Sequence, residues 1–157
     1  MLIGPRIRDG KDGYLVVTPL QREGGRSTIL VNRGWIPKKF KRQDDRKKSL
    51  PCGLVTVEGL LREPWKKNYF TPDNHPELGQ FYFPDVEQMA NFTGSDPVWI
   101  EETMGSFCKP LPKIMELMVP LVPDLLKAYD REAAGIPIGR AAEVNLRNNH
   151  TQYIFTW

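Results

Sequence analysis

Short apolar runs, each closed by glycine or proline, set the rhythm of this chain. Tyr14-Leu15-Val16-Val17-Thr18 is β-branched and aromatic and is closed by Pro19, which predicts a strand over 14–18. Glu23-Gly24-Gly25-Arg26 supplies a turn. Ser27 to Ile36 returns as a second strand before Pro37, so the pair predicts a hairpin. Leu54 to Arg62 reads as a third strand, with Val55, Val57, Gly59 and Leu61 on one face at period two. Pro97 to Glu101 reads as a fourth and Ala142 to Arg147 as a fifth. Phe81-Tyr82-Phe83 is either a short strand or an aromatic plug.

Helical spacing occurs twice. Val86, Met89, Ala90 and Thr93 share one face, with Pro84 in the first turn and Gly94 just past the end. This predicts a helix over 84–93. Ile114, Leu117, Met118, Leu121 and Leu125 predict a second over 111–131, interrupted at Pro120 and Pro123. The expected class is α+β and β-rich, with antiparallel strands in a barrel-like or open curled sheet and a few short helices. Within the second strand, Gly34 has no Cβ and suits a bulge or a close backbone approach. Ordinary alternation there would turn Arg33 and Trp35 one way and Asn32 the other.

Composition narrows the class. A chain of 157 residues is one domain's worth. At 40% hydrophobic and 26% charged it can bury a core. No run approaches the roughly 18 apolar residues of a membrane span. Met1-Leu2-Ile3-Gly4-Pro5-Arg6 has no signal-peptide core behind it. Charge is uneven: residues 1–50 carry 13 Lys/Arg against 5 Asp/Glu, and residues 51–157 carry 9 against 14. Much of the basic excess lies in Lys38 to Lys48, which is expected to be a solvated loop outside the core. The alternative function it raises is a basic β-barrel that binds nucleic acid, although one aromatic, Phe40, is too few for a stacking platform.

Chemical motifs are few. The sequence contains no nucleophile elbow, phosphate loop or dinucleotide fingerprint. Cys52 and Cys108 lie far apart with no zinc spacing, and two separate thiols are expected. His75 sits in a turn-rich stretch and reads as a surface residue. His150 follows Asn148-Asn149 and precedes an apolar stretch, a setting that suits either an axial haem ligand or a cap.

Several segments, in order, carry a resemblance. They are Gly4-Pro5-Arg6, Gly13-Tyr14-Leu15-Val16-Val17-Thr18-Pro19-Leu20 and Val31-Asn32-Arg33-Gly34-Trp35-Ile36-Pro37. Val57-Glu58-Gly59-Leu60-Leu61-Arg62 and Phe70-Thr71-Pro72-Asp73-Asn74 follow. The last runs from Asn145-Leu146-Arg147-Asn148-Asn149-His150 through Tyr153 to Trp157. Together they resemble the surfeit locus protein 1 family of cytochrome c oxidase assembly factors. The resemblance implies one soluble domain over 1–157, facing the mitochondrial intermembrane space between two membrane helices that are not present here. It implies a helical insertion at 103–134, as in fungal members, and no catalysis. Implied partners are oxidase subunits, other assembly factors and the inner membrane, with no nucleic acid. Haem a is the implied cofactor of the full-length membrane protein, with His150 in the ligand position. Tyr153-Ile154-Phe155-Thr156-Trp157 would then lead into the second membrane helix.

Overall fold

The computed structural model describes residues 1–25, 27–50, 53, 55–104 and 124–141, and the first three strands of its sheet are neighbours in sequence. Strand β1, Leu2–Arg8, turns at Asp9-Gly10 into β2, Lys11–Gln21. Both turn residues take positive φ, 49° and 74°, which is the Asp-Gly hairpin signature. Sequence reading missed β1 because Gly4-Pro5 breaks its alternation. β2 then pairs antiparallel with β3, Thr28–Pro37, so the predicted hairpin forms. It does not stop at Pro19. β1 pairing ends at Leu2↔Val16, leaving β2 as an edge beyond, where a residue that cannot donate is tolerated.

The described strands make one open sheet in the order β1-β2-β3-β5-β4, with β4 at Gly59–Leu61 and β5 at Trp99–Glu102. A barrel is therefore ruled out in favour of the open sheet, since β1 and β4 are edges. The pairing is also mixed rather than antiparallel: β3 and β5 run parallel, Leu30↔Trp99 to Asn32↔Glu101. A long connection carrying β4 and α1 separates them, and such a crossover is what parallel neighbours require. β4 is shorter than the predicted 54–62, and Leu61 is 76% exposed rather than on a core face. Only three of its residues find partners, opposite Ile100–Glu102 at the sheet edge.

Helix α1, Val86–Thr93, begins where the Asp85 side chain accepts from the Gln88 N–H and ends at Gly94 with φ 67°. Its Met89 and Ala90 pack with Ile3, Val17, Leu30, Phe81 and Trp99 in the main core. Phe81 is thus the plug of the two alternatives, edge-on to Phe92. Helix α2 spans Asp124–Ala134, the part of the 111–131 expectation that falls on described residues, and runs past it. The strand expected at 142–147 lies outside the described residues.

At the centre of β3 the ladder slips. Val16 faces Gly34 but Val17 faces Asn32, so Arg33 is the extra residue of a bulge. Gly34 has φ 108°. Beside it Trp35 N–H donates to Ile138 O at 3.0 Å, and Ile138 N–H donates back to Trp35 O at 2.9 Å. A Cβ on Gly34 would stand 1.9 Å from the Ile138 oxygen. Gly34→Val therefore combines a forbidden φ with a backbone clash and should lower unfolding stability by roughly 3 kcal/mol or more. Thermal melts and denaturant titration check this; an unchanged melting temperature would refute the tight approach.

Candidate functional site: an aromatic cleft backed by buried charge

On the β2–β3 face, Leu15 and Trp35 form the floor of a cleft of about 330 Å³, continuous with a second lobe of about 370 Å³ through Arg8, Leu15, Trp35 and Trp65. Trp35 is held in place by its indole N–H, which donates to Arg6 O at 3.1 Å. The Arg6 guanidinium donates to Tyr82 O at 2.9 Å and lies 4.6 Å over the Trp65 ring. Burial lowers its pKa. Deeper in, Asn32 and Glu101 are register partners on β3 and β5. Asn32 Oδ1 accepts from Gly34 N–H at 3.1 Å, which leaves its amide N–H₂ as a donor inside the cleft. Glu101 accepts from Arg140 at 2.8 Å. The cleft is thus apolar, with a donor and an acceptor at its base.

The bulge corrects the expected facing. Asn32 and Trp35 both line the cleft, while Arg33 is absent from its lining. One extra residue resets the alternation, so the inserted side chain leaves the row of its neighbours. Arg33 instead donates to Ser49 O at 2.6 Å and stands 3.5 Å from Glu102. Arg131 of α2 is also buried and donates to Met104 O at 3.1 Å and Pro137 O at 3.3 Å. Glu102 is pulled two ways. Burial raises its pKa, and the charges of Arg33 and Arg131 oppose that, with a net upward shift. Arg46 and Ser49 close the group, both buried, so the basic segment is not wholly solvated as expected. Burial first, then the Arg33 charge, lowers the Arg46 pKa. The rest of that segment, Lys38, Lys39, Lys41, Arg42 and Lys47, is exposed.

Of the other residues singled out from sequence, Gly4 donates to Phe81 O at 2.9 Å, next to Pro5 on β1. Tyr14 lies beneath Lys41, whose Nζ is 5.3 Å from the ring centre. Pro37 pairs with Gly13 at the end of β3. His75 is exposed and 3.2 Å from Glu77. His150, Asn145, Arg147, Asn148, Tyr153, Trp157, Cys52 and Cys108 lie outside the described residues. Among the described residues no histidine lines the cleft, and no group of three His, Cys, Asp or Glu could hold a metal. Among the described residues no helix is long and apolar enough to cross a membrane. Sequence reading missed Glu101, Glu102, Arg131 and Trp65. Two acids closing the apolar run Val98-Trp99-Ile100 were the readable signal, because a buried carboxylate needs partners.

An apolar cleft with a few convergent polar groups is the form of a binding site, here on an open α+β sheet domain. The SURF1 family matches residues 1–157, and the chain belongs to that family. It is 34% identical over 152 residues to Surfeit locus protein 1 of Mus musculus, covering 97% of this chain and 42% of that one. It is 34% identical over 147 residues to Surfeit locus protein 1 of Homo sapiens, covering 94% and 41%. It is 30% identical over 145 residues to a SURF1-like protein of Caenorhabditis elegans, covering 92% and 37%. The chain therefore spans about two-fifths of the length of these relatives.

The charge cluster has a pH signature. With its folded pKa above the ordinary 4.5, the Glu102 carboxyl contributes stability that is complete below the unfolded pKa and is lost as pH rises through the folded one. Glu102→Gln lacks this loss. The stability of the native chain relative to the Gln variant should therefore fall as pH rises above about 4.5 and then level off. Urea titrations of both proteins across that range measure it. A relative gain with rising pH would mean that the arginines hold the carboxylate ionised.

Proposed function

We propose that this chain is the soluble domain of a cytochrome c oxidase assembly factor that works by binding rather than by catalysis. The observation that carries the reading is the family match across all of residues 1–157. The ordered motifs from Gly4-Pro5-Arg6 to Tyr153–Trp157 support it. In this reading the domain lies on the intermembrane-space side of the mitochondrial inner membrane, held by flanking helices, and most of the 103–134 insertion falls outside the described residues. Its partners are oxidase subunits and other assembly factors. It assists maturation of the largest subunit and its haem a centre.

In this reading the cleft takes an apolar segment of the client. Trp35 and Trp65 supply contact area, and the Asn32 amide and Glu101 carboxylate orient one polar group. In this reading His150 would hold haem a in the full-length membrane protein through a neutral imidazole nitrogen.

Cells lacking their own factor and expressing full-length variants test this. Gly34→Val should abolish assembled oxidase, since the cleft wall is built on that bulge. Trp65→Ala, at a half-exposed side chain, should leave the domain folded and reduce assembled oxidase several-fold on native gels. In the purified full-length protein, His150→Ala should remove the haem Soret band. Normal oxidase levels with Gly34→Val and Trp65→Ala would overturn the client-binding role, and an intact Soret band would remove His150 from ligation.

A further inference from the structure

Among the described residues the two most exposed large apolar side chains are adjacent. Tyr69 and Phe70 are 95% and 90% exposed, edge to face with ring centres 5.6 Å apart. Neither is loosely held. Asn68 Oδ1 accepts from the Phe70 N–H at 3.1 Å and from the Thr71 hydroxyl at 2.6 Å, and Thr71 N–H donates to Asn68 O at 3.1 Å. The turn is built, with two rings on its tip. Arg62, Lys66 and Lys67 precede the tip, against Glu63 and Asp73. Lys66 pairs with Glu63 at 3.4 Å and Lys67 pairs with Asp73, all of them partly or fully exposed. Exposed pairs of this kind are weak enough to exchange for a phosphate.

We propose that the Asn68–Thr71 turn inserts Tyr69 and Phe70 into the interface of an anionic bilayer, with Lys66 and Lys67 on its phosphates. The area favours a bilayer over a protein. Two rings bury about 150–250 Å² each, well short of the roughly 800 Å² per partner of a stable protein interface. A bilayer has no shape to match and accepts a single tip. Aromatic and cationic side chains together are what its headgroup region selects. This inference does not depend on the oxidase reading.

The test is co-sedimentation of the chain with vesicles of phosphatidylcholine alone or mixed equally with phosphatidylglycerol. Binding is expected to the anionic vesicles only and to weaken with salt. Tyr69→Ser with Phe70→Ser should cut it about tenfold or more, and Lys66→Glu with Lys67→Glu by about as much. A Phe70→Trp variant, folded by circular dichroism, should show a blue-shifted difference emission on those vesicles. Equal binding to both compositions, binding kept in full by the aromatic double variant, or an unshifted Phe70→Trp spectrum overturns the proposal.

Discussion

The contact between Gly34 and the Ile138 carbonyl governs the rest of the structure. At 1.9 Å from a notional Cβ, it leaves room for hydrogen alone. That closeness lets Trp35 and Ile138 exchange both backbone hydrogen bonds, which ties the 136–141 segment to the middle of the sheet. Gly139, next along, has Glu102 O at 2.7 Å from its own notional Cβ, so the segment lies against β5 as well. Arg140 then reaches Glu101, and Arg140 N–H donates to Glu102 O at 3.0 Å. One glycine thus positions a cleft wall, a rim arginine and the cover over two buried acids.

The same bulge separates two kinds of chemistry. Without the bulge, in a strand of regular alternation, Arg33 would share a pleat side with Trp35 and bring a guanidinium into an apolar cleft. With it, Arg33 meets Glu102 and the Ser49 carbonyl inside the protein. A buried pair of this kind adds little net stability, yet losing one member would strand a buried charge, at a cost of about 3–5 kcal/mol. The cluster therefore acts as a constraint on geometry: it holds the Gln43–Ser49 turn and α2 to the sheet through Arg33 and Arg131.

Local signals were legible and long-range ones were not. The β2–β3 hairpin and the helix at Val86–Thr93 could be read because β-branched runs, the Gly24-Gly25 turn, helical spacing and Gly94 act within a few residues, whereas the Asp85 cap emerged only from the structure. Family motifs drew attention to Asn32, Gly34 and Trp35. Which way each side chain faces depends on a bulge, and no period-two rule contains one. β5 could be read as a strand, but its parallel partner could not, because that choice is made by sixty intervening residues. Arg46 and Lys47 look alike in a run of charge, and only the packed turn distinguishes the buried one from the exposed one.

The irregular stretch from Arg62 to Phe83 follows from topology. β4 ends at one edge of the sheet, and Phe81 bridges Ile3 of β1 at the other. The chain must cross the sheet between them, and along that path only one 3-10 turn, Pro76–Leu78, is helical. Its backbone groups are satisfied locally instead, as where Asn74 Oδ1 accepts from Tyr82 N–H at 2.7 Å and its amide donates to Phe83 O at 3.1 Å. A crossing segment of this kind is free to carry side chains that a strand's alternation would forbid. Trp65 leans on Arg6 as a cleft wall, Phe81 plugs the core, and Tyr69 and Phe70 project away from both. The sheet below supplies the position, and the irregular crossing supplies a cleft wall, a core plug and an exposed aromatic tip.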